Sequence, residues 1–133
     1  MISRVDIYDY VEQRVNTENR PVYCSARLET VPESFPACYI VETQSNSQAM
    51  DYTLDFSDEQ VRKDFEVQVF SAKQNGALEE AEAIMATVRT AMRELYFIEN
   101  FVGKIENADP TVMRMVGRFH RVIGGADQMP TED

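Results

Sequence analysis

The chain has 133 residues, 44% of them hydrophobic, with 23 acidic against 13 basic side chains and a formal net charge of -10. That fits one globular domain able to fold without metal or disulfide staples, and the charge disfavours broad binding to nucleic acid or anionic membranes. No apolar run approaches the roughly 18 residues of a membrane helix. Met1-Ile2-Ser3-Arg4-Val5-Asp6 lacks the apolar region of a signal peptide, so a cytoplasm-like compartment is expected.

Ser3 can cap a helix, with Asp6 three residues on as a weak capping box. Ile7, Tyr8, Val11 and Val15 then form an apolar stripe, which predicts a helix over about 3–16, ended by Asn16-Thr17 and Asn19-Arg20-Pro21. Residues 22–28 alternate, with Val22, Cys24, Ala26 and Leu28 on one face of a half-buried strand. Pro32 and Pro36 bracket a turn. Residues 38–43 predict a second strand, antiparallel to the first by proximity and interior to the sheet, because its centre is apolar on both faces.

Residues 44–60 are polar and turn-rich at first, then acidic through Asp51, Asp55, Asp58 and Glu59. Tyr52, Leu54 and Phe56 alternate among them. So long a connection in a compact domain predicts a protruding hairpin or flap. A strand over 61–72 follows, centred on Phe65-Glu66-Val67-Gln68-Val69. At Asn75-Gly76 the period changes from two to a 3, 4, 3, 4, 3 spacing through Leu78, Ala81, Met85, Val88, Met92 and Leu95. That spacing predicts a helix over about 77–95. Glu79, Glu80 and Glu82 near its start and Arg89 and Arg93 near its end oppose the macrodipole.

Residues 96–103 predict a turn and a strand, 107–111 a loop, and 112–123 a last long strand. The expected architecture is α+β, in the order α-β-β-flap-β-α-β-β. A mostly antiparallel sheet of four to five strands carries two helices on one face. Residues 1–123 form the single domain and 124–133 a flexible tail.

Chemistry is poorly supported by the residues. His120 is the chain's single histidine. No nucleophile motif joins it to Cys24 or Cys38, and the spacing of the three matches no zinc pattern. Both cysteines are expected to be reduced, buried small hydrophobes, with a cross-strand disulfide as the minority reading. The acids of 51–59 lack the alternation and central glycine of a calcium loop and read as a solvated flap, with a weak divalent site made between subunits as the alternative. One glycine at position 76, followed by Glu79 and Glu80, is a turn and helix cap, not a phosphate loop. Arg114, Arg118 and His120 share one face of the last strand. They read as a solvent-facing surface paired to acids such as Glu66, or as a basic stripe for an acidic partner surface or for DNA. No catalytic, cofactor-binding or metal residue is assigned. Strands that offer edges and an acidic flap describe an assembly module, with edges expected near 65–71 or 112–122.

Phe65-Glu66-Val67-Gln68-Val69-Phe70-Ser71, then Asn75-Gly76 and Ala77-Leu78-Glu79-Glu80-Ala81, resemble the tail terminator (tail completion) proteins of long-tailed phages and prophages. The stretch Asn107-Ala108-Asp109-Pro110-Thr111-Val112-Met113-Arg114-Met115-Val116-Gly117-Arg118-Phe119 is similar to that family's final loop and strand, and the likeness covers about residues 3–123. Lysine is sparser before the glycine than in many members, and Met113 stands where many carry an aromatic. The resemblance implies a virion protein assembled in the host cytoplasm as a hexameric ring. It would cap the tail tube, end tube polymerisation and offer a joining surface to the head connector. DNA passes through such a ring without specific binding, and the family has no catalytic residues. The acidic flap is then expected to face the lumen or a neighbouring subunit, and Arg114, Arg118 and His120 to lie on an interface strand. The alternatives are another head–tail joining or head-completion protein and, less well supported, a small cytoplasmic binding domain or enzyme.

Overall fold

The computed structural model describes residues 2–19, 21–29, 31–45 and 60–130. In chain order the elements are α1 (Arg4–Glu18), β1 (Tyr23–Ser25), β2 (Ala37–Ser45), β3 (Gln60–Ser71), α2 (Ala77–Glu94), β4 (Ile98–Ile105) and β5 (Met113–Gly124). The strands form one five-stranded sheet in the order β1-β2-β3-β5-β4. The α+β architecture is the expected one, with a difference at one edge.

The first helix starts where its capping chemistry puts it. Ser3 Oγ accepts from the Asp6 amide at 3.1 Å, and Asp6 Oδ2 accepts from the Ser3 amide at 2.9 Å. Ile7, Val11 and Val15 are buried along its inner stripe. The helix runs two residues beyond its expected end, to a cap at Asn19, whose side-chain amide donates to the Val15 carbonyl at 3.0 Å.

The strand expected over 22–28 is shorter and oppositely directed. β1 holds three residues and pairs with β2 in parallel, through Tyr23↔Ala37, Cys24↔Cys38 and Ser25↔Tyr39. Ser25 ends it: its hydroxyl accepts from the Arg27 amide and donates to the Arg27 carbonyl, closing a local turn. Ala26, Arg27 and Leu28 are exposed. The connection that follows returns the chain to the starting end of β1, where the Tyr23 amide donates to the Pro36 carbonyl at 2.9 Å. Proximity in sequence favoured a hairpin, but a return of this length permits a parallel pair.

β2 is interior, as expected, between β1 and β3. The 12-residue strands β3 and β5 pair antiparallel over their whole length, from Gln60↔Gly124 to Ser71↔Met113. Each also has a second neighbour, so the expected edges near 65–71 and 112–122 do not exist. The edges are β1 and β4.

Among the described residues, α1 and α2 cover the same face of the sheet. Phe65, Val67 and Val69 of β3 and Met115, Phe119 and Ile123 of β5 meet Ala81, Ile84, Met85, Val88, Ala91 and Met92 of α2 and the stripe of α1. The predicted inner face of α2 is the observed one. The approach of α2 to the sheet is close at Gly117, where a Cβ would lie 3.2 Å from Met85 Sδ and 2.9 Å from the Phe119 ring. The start of α2 needs Gly76, which has φ +90°. Its end is a Schellman closure, with the Phe97 amide on the Met92 carbonyl and the Tyr96 amide on the Arg93 carbonyl, both at 2.9 Å. Tyr96 takes the left-handed position there, at φ 64°. Beyond β5, Asp127 Oδ2 accepts from Arg121 Nη2 and from the Gly124 amide, both at 2.8 Å, and Met129 packs against the core.

Candidate assembly surface

The face of the sheet opposite the helices is built by strand alternation. β3 places Arg62, Asp64, Glu66, Gln68 and Phe70 there, and β5 places Arg114, Val116, Arg118, His120 and Val122 beside them in register. From one end, the Arg114 guanidinium lies over the Phe70 ring, 6.0 Å from its centroid, and its Nε donates to Gln68 Oε1 at 3.3 Å. Gln68 Nε2 donates to Glu66 Oε2 at 2.6 Å, and Glu66 Oε1 accepts from Arg118 Nε at 3.0 Å. The Arg118 guanidinium in turn lies 5.9 Å from the centroid of Phe101 on β4. One chain of contacts therefore crosses three strands from Phe70 to Phe101.

β4 adds two features. Its pairing with β5 shifts between Glu99 and Phe101, leaving Asn100 as a bulge residue whose Oδ1 meets His120 Nδ1. Two residues beyond Phe101, Gly103 leaves room for its ring, whose Cζ would be 2.9 Å from an added Cβ. Val116, the register partner of Gly103, is 1% exposed although neither α1 nor α2 lies on this side. Its neighbours on the face are Gln68, Arg114, Arg118 and this Gly103–Phe101 pair. A shallow groove of about 310 Å³ runs between Thr43, Arg62, Asp64, Glu66, Asn100 and Arg118.

Toward β1 the same face is apolar. Ala37, Tyr39, Phe70 and Val112 form a second, smaller cluster, with the Tyr39 and Phe70 rings 5.3 Å apart. The Tyr39 hydroxyl is buried without a hydrogen-bond partner among the described residues, and burial, with Glu29 nearby, pushes its pKa up to about 12.

The β4 edge exposes apolar side chains among polar ones. Ile98 is 61% and Phe101 42% exposed on β4. Val122 on the neighbouring strand and Tyr96 at the end of α2 are also exposed, and Arg121 stacks on Tyr96 with its Nη1 donating to the Leu95 carbonyl. Exposed apolar side chains on an eight-residue strand whose outer side has no strand partner among the described residues are a template for another chain.

Of the residues singled out from the sequence, Arg114, Arg118 and His120 are brought together on this face, and Arg118 makes the pairing to Glu66 that the solvent-facing reading called for. Asp51, Asp55, Asp58 and Glu59 lie outside the described residues. His120 and the cysteines do not meet: Cys38 packs in the helix-side core, whereas His120 is on the opposite face and two strands away. Among the described residues no group of three or more His, Cys, Asp or Glu side chains could hold a metal ion. Sequence reasoning missed Phe101, Asn100 and Gln68. The signal for the first was Phe101-x-Gly103, an aromatic two residues from a glycine in a strand.

No protein-family model matches the chain, and no curated protein matches it. Solved structures do match. One is a chain in the virion of a native gene transfer agent particle, 14% identical, with a TM-score of 0.59 over 90% of this chain and 92% of that one. Another belongs to an extracellular contractile injection system, the PVC sheath/tube terminator in its extended state. It is 8% identical, with a TM-score of 0.51 over 98% of this chain and 61% of that one. The chain has the fold of these particle proteins. At such identities the likeness is one of fold, and it agrees with the α+β architecture implied by the resemblance to tail terminators.

Proposed function

We propose that the protein is a structural component of a phage-like tail, a tail terminator that forms a ring, most simply a hexamer, on the end of the tail tube. In this role it stops tube polymerisation and offers a joining surface to the head connector, in a virion assembled in the host cytoplasm. The observation that carries the reading is the fold shared with the gene transfer agent chain over nearly the whole of both chains. The likeness to a sheath/tube terminator and the apolar side chains exposed at the β4 edge support it. No catalytic role, cofactor or metal is part of the proposal.

Three surfaces divide the work. The β4 edge, with Ile98 and Phe101, contacts a neighbouring subunit or the tube protein. The face bearing Arg114, Arg118 and His120 meets an acidic partner surface. The acids Asp51, Asp55, Asp58 and Glu59 face the lumen or a neighbour and keep passing DNA from sticking. The 1–123 domain carries these surfaces, with 124–133 as its tail.

Electron microscopy of particles lacking the protein tests the reading. Overlong or headless tails are expected. Tails of normal length beside unattached, filled heads would instead favour a head-completion or head–tail joining role, and normal particles would reject both. Ile98→Glu with Phe101→Glu is expected to abolish assembly while the monomer keeps its circular dichroism spectrum. Neutralising the four acids is expected to impair ring formation or joining; if neither changes, their role is elsewhere.

A further inference from the structure

Cys24 and Cys38 stand opposite each other in the parallel β1–β2 pair. Adjacent strands lie about 4.8 Å apart, inside the roughly 4.4–6.8 Å window of Cα separations that a disulfide spans. The two differ in access, since Cys38 is fully buried and Cys24 half-buried. They differ in chemistry too. The Cys38 sulfhydryl and then the Asn16 amide, whose Nδ2 lies 3.7 Å from Cys24 Sγ, hold the Cys24 thiol below its ordinary range against burial and the charge of Glu12. Cys24, followed by burial, pushes the Cys38 thiol well up. Asn16 is fixed for this contact, because its Oδ1 accepts from the Val22 amide at 2.7 Å.

We infer that Cys24 and Cys38 are a reversible thiol–disulfide pair, in which half-buried Cys24 reacts first with a low-molecular-weight disulfide and buried Cys38 closes the bond. The Cys24 thiolate attacks one sulfur of the reagent and expels the other as a thiolate, leaving a mixed disulfide on Cys24. Cys38 then attacks Cys24 Sγ. Its proton goes to the second departing thiolate, so two protein thiols are oxidised and one reagent disulfide is reduced to two thiols. The product ties the three-residue edge strand β1 to β2 and closes the loop between positions 24 and 38. A reducing pool keeps the pair open and an oxidising medium closes it. The inference is independent of the tail reading, since it concerns only the chain's own sulfurs.

The test incubates the folded, full-length protein with oxidised glutathione in native buffer, followed by alkylation in denaturant and mass spectrometry. The expected product is a monomer without alkylatable thiols, in which the peptides holding Cys24 and Cys38 are linked. It should melt about 5–10 °C above the reduced protein, with the gain lost on adding dithiothreitol. Cys38→Ala should stop at the glutathione adduct on Cys24, and Cys24→Ser should leave Cys38 unmodified. A persistent adduct on the wild-type protein, a disulfide-linked dimer, or two thiols still free after the incubation would each overturn the assignment.

Discussion

On the helix-covered side of β3, Phe65, Val67 and Val69 are sealed by α1 and α2; one residue over, on the other side of the same strand, Glu66, Gln68 and Phe70 are held by Arg114 and Arg118. The first side excludes water with whole secondary-structure elements. Among the described residues, the second is covered by the lengths of its own side chains, and yet Val116 there is as buried as the core. Long planar guanidinium groups laid over Phe70 and Phe101 cover apolar surface while keeping their charge in water. A face of this kind remains available to a partner, whereas the helix-covered face does not.

The same residue type on the two faces tests this contrast most strongly. Phe65 is fully buried, with its ring edge-on to Phe97 at 5.7 Å between centroids. Phe65→Ala is expected to cost about 3–5 kcal/mol in urea denaturation. Phe101→Ala removes a half-open ring and is expected to cost about 1 kcal/mol. Equal losses would mean that the two faces are closed alike.

The glycines give the next comparison. Gly117→Ala drives a Cβ against Met85 and Phe119 beneath α2, and a loss of about 1–3 kcal/mol is expected by the same measurement. Gly103→Ala meets only the far end of the Phe101 ring, which can swing toward solvent. A loss below about 1 kcal/mol is expected there, with greater exposure of Phe101 to a fluorescence quencher or to NMR exchange.

The smallest effect lies where the two helices meet at a polar seam. Glu94 accepts from Tyr10 at 2.7 Å and pairs with Arg14. These contacts, the Tyr10 bond first, hold its carboxyl below the ordinary value. The stability it contributes is present above the ordinary carboxylate pKa and is lost as pH falls through the lower, folded value. Its side chain is partly open to water, which limits the contribution to about a few tenths of a kcal/mol. Glu94→Gln should therefore flatten the melting temperature slightly between about pH 5 and pH 3, relative to the wild type.

Elements with one strong period were legible in the sequence. The stripe of α2 and the alternation of β3 are local patterns, and each is the observed core face. The capping box at Ser3 was legible for the same reason. What the sequence hid was non-local. Nothing in residues 22–28 distinguishes a hairpin strand from a three-residue parallel edge, because the direction is set by the return path to Pro36 and by the Ser25 turn. Nor does alternation say which strands have two neighbours, so β3 and β5 read as edges when they are the centre of the sheet. On the open face, Arg114, Arg118 and His120 could be placed together by parity alone. Their partners Gln68 and Phe101 required the β3–β5–β4 order.

That order also constrains symmetry. Among the described residues the two edges differ: β4 offers eight residues on one side, whereas on the other the three-residue β1 covers only the start of β2, Ala37 to Tyr39. Two copies joined antiparallel, β4 to β4, are related by a twofold axis and use that strand up, which closes a dimer. A ring of six needs a head-to-tail contact between two different patches. In such an assembly β4 must therefore engage something other than another β4: the edge formed by β1 and β2, the guanidinium-covered face, or a strand lent by another protein.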